Sequence, residues 1–169
     1  SAHAKDPVTK RYYDERFLRV KGLDFLSGAQ DAELEQAVYD GVAAGKLSSA
    51  DDLDSLTLKI DGRYSVWPER DGELKGRWEA MSLAYEDPLY SVNYMYASLL
   101  ALKYFQLFKD KPDWFLPRYR ALLENGFDDT PQNLLKRFLQ IDLDGASLVH
   151  SASSVIDRRL AALESSSRS

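Results

Sequence analysis

The chain reads as all-α, an irregular bundle of about six to eight helices joined by short connections. Three observations predict that class. Apolar residues recur every three or four positions over most of the 169 residues. N-cap residues followed by proline, and glycines closing apolar runs, punctuate the sequence as helix starts and stops. No stretch shows the short apolar–polar alternation bounded by turns that marks a strand.

The elements follow in order. Residues 1–5 (SAHAK) are expected to be a tag remnant or disordered, residues 6–164 a single helical domain, and residues 165–169 a frayed tail. Asp6-Pro7 supplies an N-cap and a first-turn proline, and Val8, Tyr12, Phe17 and Val20 fall near helical spacing, which predicts a first helix ending near Gly22. Asp31 precedes "AELEQAVYDGVAAG", where Leu34, Val38 and Val42 repeat every four residues and Gly45 closes a second helix. Ser49 and Asp52 have the spacing of a capping box, with Leu53, Leu56 and Ile60 as the apolar stripe behind it. "WPERDGELKG" carries Pro68, Gly72 and Gly76 and reads as a loop. A long helix is expected from Pro88 to Lys109, another from Pro112 to Gly126, a short one opened by Thr130-Pro131, and a last one from Gly145 to Glu164.

Composition narrows the function. With 44% hydrophobic and 12% aromatic residues the chain can bury a real core. Its 27 acidic against 22 basic residues, net charge -5, argue against a nucleic-acid partner, which needs a clustered excess of Lys and Arg. No apolar run approaches the roughly 18 residues that span a bilayer, so no membrane partner is expected. The absence of cysteine removes disulfides and thiolate chemistry and leaves the compartment open, with the cytoplasm favoured.

Chemistry-bearing motifs are few. The two histidines, His3 and His150, cannot make an H-E-x-x-H helix, so no metal ligand is assigned in this chain. His150-Ser151 lacks the strand-borne elbow of a nucleophile. Asp51, Asp52 and Asp54 lack the turn glycine and distal Glu of a calcium loop and are better read as acids complementing a helix N-terminus. "KRYYDER" mixes charge signs along a helix and reads as a solvated face with an aromatic edge.

The stretch "DPLYSVNYMYASLLALKYF", residues 87 to 105, differs in kind. Tyr90, Tyr94, Ala97, Ala101, Tyr104 and Phe108 form one stripe, and apolar residues flank it nearly all round, which predicts a central helix. Tyr90, Tyr94, Tyr96 and Asn93 concentrate hydrogen-bond donors in one place. They can serve a network inside a core, or face a cleft and stabilise a developing oxyanion.

This segment resembles the tyrosine-rich helix of zinc metallopeptidases of the M3 family, in particular the oligoendopeptidase F branch, where F-Y-x-Y-x-Y follows a Pro-His pair. "YRALLENGFDDTPQNLLKRFLQIDLDGASLVHSASSVIDRRLAALE" is similar to the C-terminal pattern of that branch, and "QDAELEQAVYDGVAAGKLSSADDLDSL" to the segment before it. The resemblance implies that residues 6 to 164 are the C-terminal helical portion of a zinc-dependent oligopeptide endopeptidase. It places the oxyanion-stabilising tyrosine on Tyr96, with Tyr94 and Tyr90 as substrate-binding residues. The family's H-E-x-x-H zinc segment is absent from this chain, and Asp87-Pro88 stand where the family has its His. Zinc would thus belong to the parent enzyme, this chain alone would be inactive, and its partners would be a peptide substrate and the missing N-terminal segment. A severed portion would also self-associate through the surface so exposed. The competing reading is a non-catalytic helical module that binds peptide or protein.

Overall fold

The computed structural model describes residues 6–66, 72 and 74–166. Among them are seven α-helices, a 3₁₀ turn and no strand, as an all-α bundle requires. The helices are α1 (Pro7–Ala43), α2 (Ala50–Asp61), α3 (Leu83–Glu86), α4 (Ser91–Asp110), α5 (Pro112–Asn125), α6 (Pro131–Leu139) and α7 (Gly145–Ser166), with the 3₁₀ turn at Arg77–Ala80 before α3. No helix among the described residues is long and apolar enough to cross a membrane. The expectations for residues 1–5, for Trp67 to Asp71 and Glu73 of the loop, and for residues 167–169 lie outside the described residues.

The chain divides into two compact units, one formed by residues 19–98 and one by residues 1–18 with 99–169. In the first, Leu34 of α1 and Ile60 of α2 are fully or almost fully buried. The capping box opens α2: the Asp52 N–H donates to Ser49 Oγ (3.2 Å) and the Ser49 N–H donates back to the Asp52 carboxylate (3.0 Å). Asp61, fully buried at 0% exposure, takes Arg77 Nε at 2.6 Å and Nη2 at 2.8 Å, and Arg77 also bonds Asp31. Trp78 Nε1 donates to Asp54 at 2.9 Å, which holds that carboxyl below its usual range.

In the second unit Leu99, Leu102, Leu134, Leu139, Leu148 and Ala152 form the core. Phe115 and Tyr119 of α5 stack at 5.3 Å, and Tyr104 of α4 packs against both. Burial, reinforced by neighbouring Tyr119, pushes the Tyr104 hydroxyl up to about 12. Arg159 of α7 lies over Phe17 and Phe105 and pairs with Asp14 at 2.9 Å. Thr130 caps α6, accepting the Asn133 N–H, and Gln140 closes it in the left-handed region at φ 55°.

Two expectations are corrected. The first and second predicted helices are one helix of 37 residues: Gly22 does not end it and Asp31 does not start another. Gly22 has no positive φ, unlike Gly45, which closes the helix at φ 67°. No proline follows Pro7 before residue 43, so nothing removes a ladder donor. Asp31 takes Arg77 in place of capping. The long helix begins at Ser91, not at Pro88, because Leu89 sits in the left-handed region at φ 65° and breaks the run.

Candidate functional site

The tyrosine helix does not bury itself all round. Tyr90 (39% exposed), Asn93, Tyr94 (55% exposed), Ala97, Ala101 and Phe108 lie open, whereas Leu99 and Leu102 are its buried line. The aromatic stripe read from the sequence is thus largely the solvent side of α4, with Tyr104 as its partly buried member. The reason is a close approach on the opposite face. At Gly28 of α1 an added Cβ would stand only 3.1 Å from Met95 N and 3.2 Å from Met95 Cα. Backbone meets backbone there, so Met95 rather than a tyrosine faces the neighbouring helix.

A built turn sets the start of α4. Leu89 is held in its left-handed conformation by its own N–H, which donates to Glu35 Oε1 at 2.6 Å. Glu35 is 2% exposed. The Tyr39 hydroxyl, one helical turn on, lies 2.7 Å from the Ala84 carbonyl and 3.0 Å from the same Glu35 oxygen. Burial and the neighbouring Glu35 raise the Tyr39 hydroxyl above its ordinary value, which keeps it a donor. Glu35 therefore ties α1 to the turn that aims Tyr90. A strained non-glycine residue held by a buried carboxylate next to exposed aromatic residues is the kind of feature that collects at functional sites.

Tyr90 and Tyr94 are brought together, ring centroids 5.5 Å apart and edge to face at 70°. Tyr96 is not with them: two residues beyond Tyr94 it stands about 200° round the helix and is partly buried. None of the three hydroxyls has a hydrogen-bond partner among the described residues. The internal donor network that buried tyrosines would need does not form around them. Chemically, the site offers neutral phenol donors and a carboxamide, Asn93, to a ligand carrying carbonyl acceptors.

The remaining candidates have structural partners. His150 is exposed and Ser151 Oγ donates to Gln106 at 2.8 Å, so no Ser-His pair is made. Asp52 caps α2 and Asp54 takes Trp78 and Lys75. Arg11 pairs with Glu15, and Tyr12 accepts from Arg16, giving the solvated face expected of "KRYYDER". Among the described residues no three His, Cys, Asp or Glu are grouped to hold a metal ion. Sequence reading missed Glu35 and Tyr39; an i, i+4 acid–phenol pair beside the Leu34–Val38–Val42 stripe was the available signal. No family model matches the chain, and no curated protein or solved structure matches it either.

Proposed function

We propose that the chain is the substrate-side, C-terminal portion of an M3-like zinc oligopeptidase, and that the first turns of α4 bind the peptide. Tyr90, Asn93 and Tyr94 would contact the peptide backbone, and the Tyr96 hydroxyl would donate a hydrogen bond to the scissile carbonyl oxygen as charge develops there. On this reading zinc and the Glu that activates water belong to an H-E-x-x-H segment outside this chain, and they supply the hydrolytic chemistry. One observation carries the reading: three tyrosine hydroxyls within seven residues at the start of α4 lack partners among the described residues, two of them in solvent, beside a turn held by a buried carboxylate. A neutral phenol suits such a role, because it holds an oxyanion without adding a charge that competes with a metal.

Two experiments test it in sequence. The coding DNA upstream of Ser1 should carry an in-frame H-E-x-x-H with a later Glu; an upstream segment without them leaves a peptide-binding module instead. In the complete enzyme, Tyr96→Phe should lower kcat by about 10²-fold or more, the scale of losing one oxyanion donor. Tyr94→Phe should act mainly on KM. A full rate in Tyr96→Phe, or the kcat loss appearing in Tyr94→Phe, removes Tyr96 from the role.

A further inference from the structure

Within the unit of residues 19–98 there is a cavity of about 510 Å³ between α1, α2, the 3₁₀ turn and α3. Leu34, Leu53 and Met81 give it apolar walls, and Tyr39, Trp78 and Tyr85 give it aromatic ones. The walls are set in advance: Trp78 is pinned through Nε1 to Asp54, and Tyr39 through its hydroxyl to Ala84 and Glu35. Volume and lining are those of a small-molecule site, mostly apolar with one or two polar groups to orient what enters.

The polar group is Glu35. Both donors that reach it, the Leu89 N–H and the Tyr39 hydroxyl, use Oε1. No donor among the described residues reaches Oε2, although the side chain is almost fully buried and lines the cavity. A carboxylate accepts at about four lone-pair sites, so half of this one is unsatisfied. Among the described residues no cationic side chain pairs with it: Arg77 is taken by Asp61 and Asp31, Lys75 by Asp54 and Arg63 by Glu33. A buried anionic oxygen without a counter-charge is costly, and a cation that supplies one recovers that cost on binding.

We infer that this cavity binds an organic ammonium ion with an apolar body, its N–H donors on Glu35 Oε2 and its carbon skeleton against Trp78, Tyr39 and Tyr85. Aromatic walls around a buried carboxylate attract cations by both charge and ring quadrupole. The unit as a whole favours the same sign, since residues 19–98 carry 8 Lys and Arg against 15 Asp and Glu, a net charge of -7, while the rest of the chain carries +2. The inference stands independently of the peptidase reading, because it uses neither Tyr90, Tyr94 or Tyr96 nor a metal. The amine can be free or the N-terminus of a peptide, and the test separates the two.

The test is calorimetric titration of the full chain with phenethylamine and with 2-phenylethanol, its neutral counterpart. Phenethylamine should bind at least about 10-fold more tightly, the worth of one charge-assisted hydrogen bond. Glu35→Gln, which keeps shape and removes charge, should abolish that preference. Tyr85→Ala, at a residue 63% exposed and outside the core, should weaken phenethylamine several-fold with an unchanged thermal melt. That second variant keeps the inference open to refutation should Glu35→Gln misfold. Phenylalaninamide binding as phenethylamine does identifies a peptide N-terminus, and phenethylamine alone binding identifies a free amine; both uphold the site. Equal binding of amine and alcohol, no binding of either, or full affinity in Tyr85→Ala overturns it.

Discussion

Replacing Arg77 by Met should be among the most damaging single changes in the unit of residues 19–98. Asp61 has no exposed surface, and its carboxylate oxygens are bonded by Arg77 Nε at 2.6 Å and Nη2 at 2.8 Å, with no other donor among the described residues. Methionine fills much of the volume of the arginine stem, so the loss is electrostatic rather than steric. It leaves a buried carboxylate unpaired, which costs about 3–5 kcal/mol. Spread over a urea slope of about 2 kcal/mol/M, a cost of about 4 kcal/mol lowers the unfolding midpoint by about 2 M. Such a loss is a large part of the ~5–15 kcal/mol that holds a domain folded.

Circular dichroism against urea reads the midpoint. Two companions separate the mechanism from mere loss of packing. Arg77→Met with Asp61→Leu removes both charges and should recover much of the stability, since an apolar pair of similar volume replaces a buried ion pair without penalty. Asp31→Asn loosens only the more exposed of the two acids and should cost less than about 1 kcal/mol. A loss below about 1 kcal/mol in Arg77→Met, or a double variant no better than the single one, would show that Asp61 is not held by this pair.

Two further outcomes follow from local geometry. Gly22→Ala, where nothing lies within 4 Å of an added Cβ, should stabilise the chain by about 0.5–1 kcal/mol through helix propensity. Gly28→Val should instead destabilise it by about 1–3 kcal/mol, because the new atoms meet the Met95 backbone, and equal urea midpoints for these two variants would refute the close approach. Stability should also fall on the acid side. The Ser48 N–H, with the Ser49 hydroxyl, holds the Asp52 carboxyl below its usual value, so the unfolded chain takes up the proton first. The capping contribution is therefore whole above about pH 4 and is lost as pH falls through the folded value. The urea midpoint of Asp52→Asn should be lower than that of the parent near pH 6 and converge on it at acid pH; parallel curves would contradict the assignment.

Where local chemistry decides a boundary, the sequence was legible. Ser49 with Asp52, Thr130 before Pro131, Pro112 and Gly126 each act within one turn, and each stands where its residue type places it. Gly22 and Asp31 misled because a glycine ends a helix only if the chain takes a positive φ there. That depends on what the next residues pack against. In α1 the tertiary gain at Gly28, where helix backbones meet, outweighs the propensity lost to glycine. Leu89 was illegible for the complementary reason: its left-handed conformation is imposed by a carboxylate 54 residues away in sequence.

The tyrosines of α4 are likewise oriented by distant residues. A helix that is apolar nearly all round carries no moment to say which face turns inward, so periodicity could list the stripe Tyr90–Tyr94–Ala97–Ala101 but not orient it. The orientation comes from the smallest residue in the neighbourhood. Gly28 admits Met95 at backbone distance, which rotates Tyr90, Asn93 and Tyr94 outward and leaves Tyr96 on the flank. Glu35 then fixes where the helix starts, through Leu89. A glycine and a buried glutamate on α1, neither of them aromatic, thus determine what the tyrosine face of α4 can touch. Substitutions at Gly28 should accordingly disturb the peptide binding proposed for Tyr90 and Tyr94 before they unfold the chain, whereas Gly22→Ala should leave it untouched.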